Sequence, residues 1–338
     1  MRCTHDSRSP YRMRPTKMPP SCSLPRPKDD GQLLCPPPMG QNGLPIEAHK
    51  LITVVVFLLL AGFSNWITLA IIHDFAGRTP LPDIVFRLVP QQSWALRLGD
   101  LMVTLSVIFM VVLMLLHKHR AVVIRRVLFV IGVLYAMRTI SLMVTQLPSG
   151  YNDNVFRCVD QLNGSQLTFS VYFQRFLVQF LHVGFQDFEN KMLCGDLLFS
   201  GHTLILAISA LTVQYYAPTR LKALQYIPKC FMVVGIACMI VSRTHYTVDC
   251  LFAYWLSVGV FTMYHSFCEI DTYRERKNSI LSSILLMKAV GWLEANVVPG
   301  KLENTLEIPF YSQLLRLRGR NREMNISGSS STVVIEPV

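Results

Sequence analysis

The chain has 338 residues, of which 51% are hydrophobic and 16% charged, with a mean hydropathy of +0.36. That is too apolar for an ordinary soluble domain and places the chain in a membrane. The formal charge of +11 does not argue for nucleic acid, because the Lys and Arg residues gather beside apolar runs, where anionic headgroups and topology account for them.

Residues 1–50 hold ten prolines and no long apolar periodicity. They cannot bury enough surface to offset chain entropy and read as a disordered cytosolic N-terminal tail. No signal-peptide h-region with a cleavage site precedes the first apolar run, which is therefore expected to stay as an anchor. Six apolar segments follow, at about 51–72, 100–116, 127–147, 202–217, 229–242 and 250–267. They predict an all-α, polytopic membrane protein whose six transmembrane helices form one domain over 51–268. Residues 269–338 read as a cytosolic C-terminal tail, in which Arg316, Arg318, Arg320 and Arg322 make a basic cluster. This cluster suits either an anionic membrane or plain solvent.

Lys118, Arg120, Arg125 and Arg126 crowd the second connection, and Arg220, Lys222 and Lys229 the fourth. By the positive-inside rule those loops and both termini are cytosolic, while loops 73–99 and 148–201 and the turn at 243–249 face the lumen or cell exterior. Asn163-Gly-Ser165 is a glycosylation sequon on that outer side; a second sequon, at Asn325, lies in the cytosolic tail. The nine cysteines show no metal-ligand spacing, so no metal is expected. Cys158 and Cys194 are the one pair expected outside and away from the bilayer, which leaves a disulfide between them open. Cys268, at the membrane exit, is placed for acylation.

The chemistry concentrates in Cys194-Gly-Asp-Leu-Leu-Phe-Ser-Gly-His-Thr203 and His245-Tyr-Thr-Val-Asp249. Ser200 reads as an N-cap with His202 in the first turn of the fourth span. His245 and Asp249, four apart, share a face at the start of the sixth. A helix N-terminus attracts phosphate oxygens and disfavours imidazolium, and a carboxylate on one ring nitrogen frees the other for attack. His5, His49, His73, His117, His119, His182 and His265 read instead as interfacial residues. Spacing alone leaves phosphatase, transferase and helix capping open.

Ser-Gly-His followed by a His-x3-Asp helix start resembles the lipid phosphate phosphatase superfamily, and the longer strings resemble its sphingomyelin synthase branch. Four blocks carry the likeness: Pro80-Leu-Pro-Asp83; Arg125-Arg126 with Tyr135, Arg138 and Thr145; Cys194 to Thr203; and His245-Tyr246-Thr247 with Asp249, Tyr254, Phe261 and Tyr264-His265. Cys250 stands where valine is expected, and the tail of about fifty residues leaves no room for the sterile-alpha-motif domain of some relatives.

The resemblance implies transfer of phosphocholine from phosphatidylcholine to the primary hydroxyl of ceramide, giving sphingomyelin and diacylglycerol with no metal, nucleotide or other cofactor. His245, oriented by Asp249, would attack phosphorus while His202 moves protons. Ethanolamine as headgroup and water as acceptor are the alternatives. The implied partners are these lipids, with a second copy of the chain open; the implied compartments are the Golgi and the plasma membrane.

Asp196 is expected to meet the choline cation or cap a turn, Ser200 to cap rather than attack, and Tyr246 or Tyr264 to offer cation–π contact to choline. Arg138 lies about 18 Å beyond Arg126 at helical rise. A charge that deep needs a partner: Asp100, or a lipid oxygen. Arg125 and Arg126 read as topology anchors, and Arg243 as a residue that could face a phosphoryl oxygen.

Overall fold

The computed structural model describes residues 47–162, 164, 166–181, 191–270, 279–297, 300 and 302–307. In chain order its α-helices are α1 (Ala48–Ile72), α2 (Ile84–Leu88), α3 (Ser93–Leu116), α4 (Arg120–Val144), α5 (Asn154–Arg157), α6 (Phe169–Leu181), α7 (Gly201–Tyr216), α8 (Tyr226–Val241), α9 (Thr247–Glu269) and α10 (Leu285–Leu293). Among the described residues β-pairing is limited to two isolated bridges, His117 with Leu306 and Cys158 with Met192.

Five helical stretches are long and apolar enough to cross a membrane: 48–72, 93–116, 120–144, 219–241 and 247–269. In hydrocarbon only helices of this kind satisfy their own backbone, which is why uninterrupted Leu, Val and Ile runs fold this way, and the protein is a multi-pass membrane protein. The fourth of the six expected spans, α7, has 16 residues, about 24 Å at helical rise against about 30 Å of hydrocarbon. It does not have to match lipid, because it packs against α3, α4, α8 and α9. Leu204, Leu206, Ala207, Ile208 and Val213 are wholly buried, as are Ser209 and Thr212. Where α8 crosses α7, a Cβ on Gly235 would meet Leu206 Cδ1 at 2.7 Å. Only glycine permits that approach.

The second span starts earlier than its hydropathy suggests. Helix α3 begins at Ser93 and carries Asp100 well inside, because a backbone helix does not end where the apolar run does. Pro218, by contrast, sets a boundary: Ala217 before it is extended and α7 stops there.

Arg125 and Arg126, expected as topology anchors, are buried and paired within the protein. Arg126 is 1% exposed and grips Glu294 twice, Nε to Oε1 at 3.1 Å and Nη2 to Oε2 at 2.6 Å. Arg125 donates to Glu47 at 3.1 Å, and Tyr264 donates to Glu294 at 3.0 Å. The stretch after α9 thus folds back: α10 carries Glu294 into the bundle, and residues 305–307 pair with 116–118 through Lys118 N to Thr305 O at 2.9 Å and Glu307 N to Leu116 O at 2.7 Å. A buried double-oxygen grip on guanidinium outweighs surface hydration only with such geometry.

Three histidines expected at the interface are buried: His73, His117 and His265. His265 lies between Tyr216 Oη and the Phe261 carbonyl oxygen, both at 2.8 Å. His49 is exposed and His119 partly so, whereas His5 and His182 lie outside the described residues. Cys268 is 1% exposed, out of reach of an acylating enzyme. Cys158 and Cys194 are disulfide-bonded. Both sequons and the Arg316 to Arg322 cluster fall outside the described residues.

Candidate active site

Helices α7 and α9 begin side by side, so the two histidine strings meet. Ser200 is wholly buried and caps α7, its Oγ accepting from Thr203 N at 3.2 Å. Its hydroxyl acts as a cap. His202 follows in the first turn; Tyr246 caps α9 and puts His245 just ahead of it. The two imidazoles stand with ring centroids 5.8 Å apart.

Each ring has a carboxylate. His245 Nδ1 lies 3.8 Å from Asp249 Oδ2, with side chains 2% and 0% exposed. His202 Nε2 lies 3.2 Å from Asp100 Oδ1, with side chains 16% and 19% exposed. The first distance is longer than a hydrogen bond. Asp100 thus goes to His202 and not to Arg138. Of the two partners expected for Arg138, Asp100 or a lipid oxygen, Asp100 is engaged elsewhere.

Asp249 does more than face His245. Its Oδ2 accepts from Tyr246 N at 2.9 Å and its Oδ1 from Leu198 N at 2.9 Å. One carboxylate therefore ties the start of α9 to the loop that leads into α7. Backbone strain marks both turns: Leu198 has φ +80 and Arg243 φ +62, left-handed values that cost a side-chain-bearing residue about 1–3 kcal/mol and cluster at functional sites.

Arg138 holds the same loop from the other side. Its Nε donates to Phe199 O at 2.9 Å, and its two terminal nitrogens engage Asn65 and Asp196. Asp196 and Arg138 are therefore paired with each other. Tyr246 is 2% exposed and its ring stacks on Phe86 at 5.3 Å. Its hydroxyl donates to Pro148 O at 3.0 Å and accepts from Leu81 N at 2.8 Å, so it joins three segments at this end. Tyr264 cannot meet a headgroup here, since it lies 17 residues along α9 from Thr247, about 25 Å away at helical rise. Arg243 turns away from the histidines: its guanidinium covers the Phe86 ring at 5.1 Å and donates to Phe86 O at 2.9 Å.

The Pro80 to Asp83 block gains a physical role. Asp83 caps α2 through Val85 N at 2.9 Å and accepts from Thr247 N at 2.8 Å and Thr247 Oγ1 at 3.1 Å. It fixes the first turn of α9 beside His245. Asp83→Ala is expected to destabilise the protein by about 2 kcal/mol through loss of a cap and a charge-assisted bond. Thermal unfolding in detergent checks this, and Asp83→Asn should recover part of the loss.

His73, missed as a functional residue, supports the other loop. Its Nδ1 accepts from Cys194 N at 2.8 Å, and its Nε2 lies 3.1 Å from Val159 O, so the neutral Nε2–H tautomer fits both partners. Burial pushes this imidazole below the usual histidine range and outweighs the raising effect of the Cys194 hydrogen bond. The unfolded chain then binds a proton that the folded one refuses. Stability from this group is therefore present above about pH 6.5 and falls as pH drops toward the lowered folded value. Melting temperature should fall between pH 7.5 and 5.5, and His73→Gln should lessen that fall; an identical pH dependence in the variant would refute it.

Burial also pushes the Tyr151 hydroxyl up to about 12, so it stays protonated and donates to Thr244 Oγ1 at 3.3 Å, steadying the turn before His245. No cluster of His, Cys, Asp or Glu among the described residues has the geometry to hold a metal ion.

The family model described as "PAP2 superfamily C-terminal" matches residues 193–266, a stretch that begins just before the Cys194 loop and takes in α7, α8 and most of α9. The chain is 45% identical over 292 residues to a Caenorhabditis elegans protein provisionally named phosphatidylcholine:ceramide cholinephosphotransferase 3, covering 86% of this chain and 85% of that one. It is 36% identical over 263 residues to phosphatidylcholine:ceramide cholinephosphotransferase 2 of the same organism, covering 78% of each. With phosphatidylcholine:ceramide cholinephosphotransferase 1 of Homo sapiens it shares 26% identity over 267 residues, covering 77% of this chain and 63% of the relative. The paired histidine strings and the extent of these alignments agree: the chain belongs to the phosphatidylcholine:ceramide cholinephosphotransferase, or sphingomyelin synthase, family of phosphotransferases.

Proposed function

We propose that the protein transfers phosphocholine from phosphatidylcholine to the primary hydroxyl of ceramide, yielding sphingomyelin and diacylglycerol. The observation that carries this reading is the facing pair of imidazoles, 5.8 Å apart, each with its own carboxylate. The names of the relatives supply the substrates.

In the first half-reaction His245 Nε2, the nitrogen turned from Asp249, attacks phosphorus. The bond from phosphorus to the diacylglycerol oxygen breaks, and His202 gives that oxygen its proton. In the second half the ceramide hydroxyl passes its proton to His202 and attacks the phosphohistidine. The nitrogen–phosphorus bond breaks and both histidines return to their starting forms. Asp249 favours the His245 tautomer with its free lone pair on Nε2, Asp100 stabilises the His202 imidazolium, and the N-termini of α7 and α9 direct backbone N–H groups toward phosphoryl oxygens. Asp196, Arg138, Ser200 and Tyr246 contribute by fixing the loops around this pair.

Membranes given fluorescent ceramide with phosphatidylcholine and phosphatidylethanolamine in competition test the reading. A choline-containing sphingolipid as main product supports it. An ethanolamine product, phosphate release from a phosphatidate, or no conversion would each overturn it. Omitting ceramide should leave a phosphocholine adduct on His245, read by peptide mass spectrometry. The site is further inferred to face the lumen or cell exterior, since Arg120, Arg220, Lys222 and Lys229 cluster at the opposite end of the helices; loss of epitopes at both termini when protease is added to sealed, cytosol-side-out vesicles would support that orientation, and their protection would overturn it.

A further inference from the structure

Helix α6 was not anticipated as a membrane element: it has 13 residues, about 20 Å at helical rise, too short to cross a bilayer. Its one charged residue is Arg175, 8% exposed, and that charge is consumed by the end of α1. The guanidinium meets Asp74 at 2.5 and 3.1 Å and donates to Ala70 O at 3.3 Å.

Beyond that latch the helix is mostly Phe, Leu and Val, with Ser170, Gln174 and Gln179 among its uncharged polar side chains. Phe176 and Phe180 pack on Phe63 and Trp66 of α1, with centroids 5.7 to 6.5 Å apart. Those two α1 residues precede Ile72 by six and nine positions, about 9–14 Å along the axis, which is inside the hydrocarbon that α1 crosses. The faces of α6 turned from α1 leave Phe169 83%, Phe173 50%, Leu177 37% and Leu181 74% exposed, beside Leu60, Ile67 and Ile71 of α1, themselves 62%, 48% and 39% exposed.

We propose that α6 is a half-depth membrane helix, immersed beside α1 in the leaflet at the site-bearing end and covered by lipid acyl chains. Three facts on different levels select lipid as the occupant. The charge balance is closed by Asp74 at the surface end, so no uncompensated charge enters hydrocarbon. The helical backbone satisfies its own polar groups. The exposed Phe and Leu face is continuous with the exposed flank of a membrane-crossing helix, at the same depth. In water, an apolar face of this kind would be costly.

The test is photo-crosslinking of the full chain in nanodiscs, with p-benzoylphenylalanine placed singly at positions 173 and 177. Position 56 of α1 serves as the lipid reference and position 156, an 81% exposed Phe in the short helix α5, as the comparison outside. Lipid adducts at 173 and 177 should match those at 56 and exceed those at 156 several-fold. Adducts to a second copy of the chain at both positions, or lipid yields no higher than at 156, would overturn the proposal. The probed side chains are outward-facing, and samples that elute as the unsubstituted protein does are compared. The outcome is independent of the reaction at the histidines.

Discussion

Replacing His245 with alanine is expected to lower headgroup transfer by at least about 10³-fold while insertion and elution stay as in the unsubstituted protein. In the proposed mechanism this imidazole, which faces His202, both attacks phosphorus and leaves again, and water in the vacated position would not have comparable orientation. His202→Ala should cost a similar factor, because both half-reactions of the proposed mechanism would lack their proton carrier.

Asp249→Asn separates orientation from scaffolding. The asparagine keeps an oxygen for one of the two backbone donors, Leu198 N or Tyr246 N, yet cannot support the imidazolium or hold the tautomer, so a loss of about 10²–10⁴ in kcat is expected. Asp249→Ala should add a fall in melting temperature, since both backbone donors are then left buried without an acceptor. Turnover within tenfold of normal in His245→Ala would remove the proposed nucleophile.

The second large effect lies at the other end of the molecule. Glu294→Ala is expected to destabilise the protein by about 3–5 kcal/mol, because Arg126 would remain buried with its countercharge gone. Burial alone would push the Glu294 carboxyl up, but the Arg126 charge and hydrogen bonds overcome it and hold the group below the usual carboxylate range. Exchanging both partners for apolar residues of similar volume, Arg126→Met with Glu294→Leu, should restore most of the loss. Thermal unfolding of the three proteins decides it: a single variant as stable as its parent would show that residues 279–307 do not hold the bundle closed.

Much of the site was legible because it rests on local rules. The cap at Ser200, the first-turn place of His202 and the i, i+4 relation of His245 to Asp249 depend on residues within a few positions of one another, and helical geometry carries them intact into the structure. Tyr246 shows the limit. Its sequence setting offered an aromatic ring near a phosphocholine site, but Phe86, 160 residues earlier in the chain, stacks on it.

The sequence by itself determined the apolar spans, the two histidine strings and the likeness to sphingomyelin synthases, all properties of contiguous residues. Which charge meets which was decided by tertiary structure alone. Asp100 to His202, Arg138 to Asp196 and Asn65, Arg126 to Glu294, and Arg175 to Asp74 join residues 58 to 168 positions apart. Such pairings follow from the rotation and tilt of one helix against another. Those are set by side-chain packing across the bundle, and a hydropathy pattern along one chain does not contain them.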